Sequence, residues 1–183
     1  MQWLSLLCPL LAMQAGIGAT WGAHVKRGSE QNATLYAYGA NASAWPISYG
    51  LSDGLLYIAE DPNNNAADLT AMYWDLPSIT DECWIVNGTF VNGTRAGSLY
   101  IRSENDNSIG VLPFSQATAI DGTVTGFALF ASQLVYNNDT QLEAQFWASS
   151  TETDGVYALV WVEDESDIGS GSFPVVVKGS GSS

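Results

Sequence analysis

The 183-residue chain has few basic side chains, five Lys and Arg against 19 Asp and Glu, and its formal net charge is -14. Binding to nucleic-acid phosphates depends on clustered Lys and Arg. Docking on anionic lipid depends on the same side chains. The composition therefore argues against both classes of partner, and we expect neither nucleic acid nor a membrane surface to be bound.

The sequence also has no apolar run long enough to cross a bilayer. The apolar stretch from Trp3 to Met13 has 11 residues, whereas a membrane helix needs about 20. Small residues follow it at Gly16, Gly18 and Ala19. This order is typical of a secretory signal peptide, which we predict at 1–19.

A dibasic pair follows shortly after the predicted signal peptide. Lys26 and Arg27 resemble the site at which kexin-type proteases remove a pro-segment. We predict such a segment at 20–27, which would make Gly28 the first residue of the mature chain. The alternative is an ordinary basic pair in a disordered N-terminus.

Processing would remove the single histidine, His24, and one of the two cysteines, Cys8. A chain without histidine cannot form a Ser-His-Asp triad or a zinc site with His ligands. The remaining cysteine, Cys83, cannot form an intramolecular disulfide. We predict that Cys83 is a small buried apolar residue; the alternatives are an intermolecular disulfide and a reactive thiol.

Five N-x-[ST] sequons accompany the export signal. They predict an extracellular, secreted N-glycoprotein in which each acceptor asparagine faces solvent. Two of them, Asn87-Gly88 and Asn92-Gly93, also have the sequence of tight turns. The acceptors are Asn32, Asn41, Asn87, Asn92 and Asn138.

Short apolar runs separated by turn residues at regular distances predict an all-β fold. We predict a single domain at 28–178, an antiparallel β-sandwich of jelly-roll-like type or a barrel, followed by a disordered tail at 179–183. The segment 66–73 could be a helical turn or a strand. The predicted strands are 35–38, 45–50, 55–59, 83–86, 98–101, 124–131, 133–136, 142–148, 157–162 and 173–177.

Aromatic side chains are the first candidates for a binding surface, because sugar rings stack on exposed aromatic faces. Trp45, Tyr49 and Trp74 lie beside turn residues and are our candidates for an exposed platform. Tyr36 and Tyr38 share one face of a strand, since alternate residues point the same way. The alternative for any of these rings is packing in the core.

Carboxylates are the second class of candidate. Glycoside hydrolysis needs two of them about 5–10 Å apart, and Glu143, Glu163 and Asp75 are weak catalytic candidates. Asp61 and Asp68, in an oxygen-rich segment, are weak calcium candidates; the segment lacks a specific ligand spacing, which favours the alternative of a solvated acidic loop. We expect no cofactor.

Three segments carry a resemblance to a known group of proteins. They are Tyr36-Ala37-Tyr38-Gly39, the segment from Trp45 to Gly50, and the segment from Asp53 to Ala59. They resemble the opening YaYG…lPiYG…DGLaYI of small secreted β-rich proteins of filamentous ascomycete fungi. The resemblance implies an exported fungal β protein, and it implies no catalytic residue because the family has no established activity.

Three functions fit these observations. The first is a non-enzymatic secreted glycoprotein that binds cell-wall carbohydrate or another extracellular or host-surface partner. The second is a carboxylate-dependent, polysaccharide-active enzyme of glycoside hydrolase type. The third is an effector-like or structural secreted protein. Binding predicts an exposed aromatic row without an adjacent acid pair, whereas catalysis predicts two carboxyl groups in a cleft.

Overall fold

The computed structural model describes residues 28–40, 42–64, 67–102, 107–116, 122–139, 141–164 and 169–181. The predicted signal peptide at 1–19, the pro-segment at 20–27 and the sequon residue Asn41 lie outside the described residues. In the part of the chain that is described, no helix has the length and apolar character needed to span a bilayer.

The prediction of an all-β antiparallel fold is confirmed. The described residues form fourteen strands and one short 3-10 turn at Phe114–Gln116. The strands are β1 Glu30–Gly39, β2 Ser43–Gly50, β3 Leu56–Ala59, β4 Leu69–Leu76, β5 Asn87–Phe90, β6 Arg95–Arg102, β7 Ile109–Leu112, β8 Gly122–Thr123, β9 Phe127–Phe130, β10 Gln133–Asn137, β11 Leu142–Glu143, β12 Phe146–Ser150, β13 Val156–Trp161 and β14 Phe173–Ser180.

Six of these strands close into a barrel. Strand β1 pairs with β2 on one side and with β14 on the other. The ring continues from β2 through β3, β13 and β12 and returns to β14. Within the predicted class, the architecture is therefore a closed antiparallel barrel to which further strands are added.

The sequence of β1 explains why this strand can lie in the wall of a barrel. Ala33, Leu35 and Ala37 are completely buried, while the intervening Thr34 and Tyr36 are only half-buried. Alternate residues of a strand point to opposite faces. The apolar set therefore faces the interior, and the even-numbered residues form the outer surface.

Large side chains fill the interior of the fold. Trp161 is buried, as the sequence predicted, and its ring packs edge-on against Phe146 at 5.1 Å and Tyr136 at 5.4 Å between centroids. Edge-to-face contacts of this kind are favourable beyond the burial of area. The interior of the barrel is thus filled with closely packed side chains.

The added strands β4 to β7 form an antiparallel meander, with β8 paired to β6. Strand β4 joins the meander to the barrel because it pairs with both β1 and β2. The β5–β6 hairpin turns at Asn92-Gly93, where Gly93 has a φ of 84°. This turn was predicted correctly, and its left-handed residue suits glycine.

The turn predicted at Asn87-Gly88 is wrong, because both residues lie in strand β5. Tertiary packing explains the glycine there: a Cβ on Gly88 would lie 2.5 Å from Met72 Cε and 3.2 Å from the Trp74 ring. The glycine therefore makes room for buried side chains of β4 instead of permitting a turn.

Other boundaries also differ from the predictions. Residues 83–86 are irregular rather than a strand, although the Val86 carbonyl accepts a hydrogen bond from Leu99 N at 2.8 Å. The described part of 66–73 contributes to β4, and β7 was not predicted at all. The predicted tail begins too early, because β14 extends to Ser180, which pairs with Thr34.

Candidate functional site

The three aromatic candidates for a binding platform do not lie on one surface. Trp74 is only 1 % exposed, so it is a core residue and the prediction of its exposure is wrong. Tyr49 is half-buried and packs edge-on against Phe90 at 5.2 Å. Trp45 is half-buried and packs against Tyr157 at 6.2 Å.

Two aromatic rings, one exposed and one half-buried, lie instead on the outer face of β1. We call this surface the tyrosine platform and define it by Tyr36, Tyr38, Val176 and Lys178. Tyr38 is 38 % exposed, and Tyr36 beside it is half-buried. Two strand residues separated by one position are about 7 Å apart, so the two rings lie next to each other on one face.

Strand register fixes the neighbours of these tyrosines. In β14, Lys178 lies opposite Tyr36 and Val176 opposite Tyr38. The Lys178 Nζ atom lies 5.0 Å from the centroid of the Tyr38 ring, within the range of a cation–π contact. None of the four platform residues is acidic, so the platform combines aromatic faces, hydroxyl groups and one positive charge.

The sequence contained the signal for this surface in the alternation of β1. The buried positions are aliphatic, whereas the outward positions 36 and 38 carry aromatic rings with a polar end. The choice of Trp74 relied on its proximity to turn residues. Proximity to a turn does not decide which face of a strand a side chain occupies.

A second aromatic cluster lies at the β2–β3 connection and serves the fold. Tyr57 Oη donates a hydrogen bond of 2.5 Å to Asp53 Oδ2, and Leu55 N donates one of 2.9 Å to Asp53 Oδ1. Asp53 thus holds both the loop and the following strand. Carboxylates commonly stabilise turns in this way.

Burial raises the pKa of the Tyr57 hydroxyl well above its ordinary value. Its hydrogen bond to Asp53 and the negative charge of that carboxylate raise this pKa further. Burial also raises the pKa of Tyr49, with smaller contributions from Asp53 and Tyr100. Both tyrosines are therefore neutral donors at physiological pH.

The three catalytic candidates lie in different surroundings. Glu143 in β11 accepts hydrogen bonds from Gln141 Nε2 at 2.8 Å and from Asn138 Nδ2, so it organises the loop after β10. Glu163 is exposed just after β13. Asp75 is exposed in β4 and accepts a hydrogen bond from Asn32 N at 3.4 Å.

Asp75 does lie near other carboxylates, which the sequence did not predict. It lines a depression of about 170 Å³ together with Glu30 and Asp81. The Oε2 atom of Glu30 is buried without a hydrogen-bond partner, whereas Asp81 Oδ2 accepts a bond from Ser78 N at 2.8 Å. Neither Glu143 nor Glu163 lines this depression.

The calcium candidates are also exposed. Asp61 Oδ1 accepts a hydrogen bond from Asn63 N at 3.0 Å, and Asp68 adopts a φ of 54°. Throughout the described ranges, no three His, Cys, Asp or Glu side chains are grouped so that they could hold a metal ion. Among the described residues, Asp61 and Asp68 therefore belong to no cluster of three such side chains.

The sequon residues differ in exposure. Asn32, Asn92 and Asn138 are exposed, as a glycan acceptor requires. Asn87 is half-buried, and its Oδ1 accepts a hydrogen bond from Ser98 Oγ at 2.9 Å. One polar atom of the Asn87 side chain is thus already bonded to strand β6 of the meander.

Cys83 is exposed, so the prediction of a buried thiol is wrong. The physical reason is that residues 83–86 do not enter a strand and pass along the edge of a cleft instead. That cleft has a volume of about 590 Å³ and is lined by residues of the meander and its connections.

Comparison of the chain with known proteins found no matching family model, no similar curated protein and no similar solved structure. The function is therefore proposed from the surface of this chain and from the patterns in its sequence.

Proposed function

We propose that this chain is a secreted, N-glycosylated, non-enzymatic protein that binds cell-wall carbohydrate through the tyrosine platform. The observation that carries the proposal is the pair of adjacent rings on the outer wall of the barrel, Tyr36 and Tyr38, without an acidic residue among the platform residues. Pyranose rings present apolar C–H faces that stack on such rings.

The surroundings of the platform also suit a polysaccharide. The register places Gln133 of β10 opposite Lys178, and Pro46 of β2 opposite Tyr36. Amide and ammonium groups can bond sugar hydroxyls beside the stacked ring. The outer surface of a sheet accepts an extended chain along its length, whereas a deep pocket would accept only a chain end.

The proposed export and origin rest on the sequence. The apolar segment at 1–19, the pair Lys26-Arg27 and the sequons support secretion with processing before Gly28. The resemblance of the opening segments to small secreted proteins of ascomycete fungi supports a fungal origin. Mass spectrometry of culture fluid would test this part, with a mature N-terminus at Gly28 as the expected result.

A glycan array tests the binding, with a panel that includes soluble β-glucans and chitin oligosaccharides. We expect Tyr36→Ala and Tyr38→Ala each to weaken binding about tenfold, which corresponds to about 1.4 kcal/mol for a lost stacking contact. Phe114→Ala is the matched control, since Phe114 is 45 % exposed but follows β7 on the meander. Equal loss in all three variants, or no binding by the native protein, would reject the proposal.

The enzymatic alternative has a specific location in the depression formed by Glu30, Asp75 and Asp81. A reducing-sugar release assay on the array hits distinguishes it from binding. Release that is abolished by Glu30→Gln or Asp75→Asn would replace the proposal with a glycoside hydrolase. The absence of both glycan binding and sugar release would favour the effector-like or structural alternative.

A further inference from the structure

A cleft lies on the meander, on different strands from those that carry the tyrosine platform. Its volume of about 590 Å³ is within the range of about 300–1,000 Å³ that small-molecule sites occupy. Its walls come from the segment before β5, from strands β5, β6 and β7, and from the residues after β7 and β8. We call it the Arg95 cleft; its lining residues are Cys83, Ile85, Asn87, Arg95, Ser98, Leu112, Phe114 and Val124.

The lining has an apolar part and a small polar part. Ile85, Leu112, Phe114 and Val124 provide the apolar wall, and Phe114 is an exposed phenylalanine. A wall of this kind with a few polar groups is typical of sites for small organic ligands. The polar groups then decide which ligand is accepted.

The charge of the cleft is opposite to that of the chain. Arg95 is one of five basic residues against 19 acids, and none of the lining residues is acidic. Its guanidinium carbon lies 4.7 Å from the centroid of the Phe114 ring. Stacking on a ring leaves the edge of the guanidinium free to donate hydrogen bonds to a carboxylate.

Asn87 lies in the same lining, where the register pairs it with Ser98, whereas Arg95 pairs with Thr89. Its Oδ1 accepts the hydrogen bond from Ser98 Oγ at 2.9 Å, and its Nδ2 is the atom to which a glycan at this sequon would be attached. An ionised carboxylate accepts hydrogen bonds and donates none. Arg95 is therefore the lining residue that offers a charged donor to an anion in this cleft.

We infer that the Arg95 cleft binds a small amphipathic carboxylate, with the carboxylate at Arg95 and the apolar body against the apolar wall that includes Phe114. The overall charge of -14 repels anions at long range. A simple inorganic anion would therefore gain little here. An anion with an apolar body gains from the wall as well as from the charge.

The test uses cis-parinaric acid and its methyl ester, whose fluorescence rises in apolar surroundings, with the intact glycoprotein at pH 7. We expect saturable binding of the acid, at least about tenfold tighter than that of the ester. Arg95→Gln should weaken binding of the acid about tenfold and leave the ester unchanged, since a charge-assisted contact of about 1.4 kcal/mol is lost. Arg102→Gln, on the same strand but outside the lining, is the control and should change neither.

Two further variants separate the parts of the site. Phe114→Ala should weaken binding of the acid and of the ester alike, because the apolar wall serves both. Thr89→Ala removes the sequon at Asn87 but keeps its amide, so it should preserve or strengthen binding of the acid. No saturable binding of the acid, equal affinity for acid and ester, or an Arg95→Gln variant that binds the acid normally would each overturn the inference.

Discussion

The barrel and the meander both place a basic side chain over an aromatic ring, but on surfaces of different shape. On the barrel, Lys178 lies over Tyr38 on the outer wall. On the meander, Arg95 lies over Phe114 at the side of a cleft. The chain has only five basic residues, and two of them form these contacts. We propose a different ligand for each surface because one is an outer wall and the other a cleft.

The strand pairing explains the difference in shape. The barrel closes on itself through β1 and β14, and its interior is filled with side chains such as Trp161 and Phe146. A closed and packed barrel of this kind offers its outer wall for binding. The meander is a single layer over the core, and the connections that follow β7 and β8 rise beside it to form a concave surface.

The largest expected effect is in the core under the barrel wall. Trp161→Ala should lower the free energy of unfolding by about 3–5 kcal/mol, because it removes a buried ring that contacts Phe146 and Tyr136 and leaves a cavity. Urea unfolding followed by fluorescence measures this. Trp147→Ala is the control, since Trp147 is half-buried on the outer face of β12; an equal loss in both variants would contradict a packed interior.

A smaller loss of stability is expected from a substitution in the meander. A Cβ on Gly97 would lie 2.0 Å from the Leu112 carbonyl oxygen, so Gly97→Ala should force β6 and β7 apart at a cost of about 1–3 kcal/mol. Ser98 and Leu112 line the Arg95 cleft. Displacing β6 from β7 should therefore also weaken the binding of cis-parinaric acid. Glycan binding at the platform should persist.

Gly169→Ala is the matched control for this variant, because nothing lies within 4 Å of a Cβ at that position. It should change stability by less than about 0.5 kcal/mol. Simultaneous loss of ligand binding and glycan binding in Gly97→Ala would show that the two regions are not separable.

The smallest effect concerns pH and the loop that joins β2 to β3. The pKa of Tyr57 is raised in the folded chain, so above about pH 10 the unfolded tyrosine loses a proton that the folded one keeps. Stability should therefore be fully present below about pH 10 and decline as pH rises above it. Tyr57→Phe should flatten this decline and cost about 1 kcal/mol at pH 7, for the lost bond to Asp53.

Unfolding measured between pH 8 and pH 11 tests this prediction. The control is Tyr73→Phe, whose ring is exposed on β4. An alkaline decline of the same steepness in the Tyr57→Phe variant would assign the pH dependence to other groups.

The sequence predicted the fold class well because strand alternation is a local property. The pattern of Ala33, Leu35 and Ala37 was enough to orient β1 and so to place Tyr36 and Tyr38 together. The same rule applied to β4 would have buried Trp74, since it lies between the exposed Tyr73 and Asp75. The choice of Trp74 used a neighbouring turn signal instead.

The Arg95 cleft could not be predicted in the same way. Its lining residues extend from Cys83 to Val124, and they meet only because β5, β6 and β7 adopt one particular register. The exposure of Cys83 depends on the same arrangement. The Asn87-Gly88 dipeptide predicts a turn because Asn-Gly pairs favour turns locally. In the folded chain, packing against the side chains of β4 overrides that preference.

The pairing of β1 with β14 also limits when this protein can fold. Thr34 lies opposite Ser180. Strand β1 therefore cannot complete its pairing until β14 has been synthesised. Contacts between residues so far apart in sequence make folding slow. We therefore expect the barrel to stay open until β14 has been synthesised, and its interior to exclude water only after this last pairing forms.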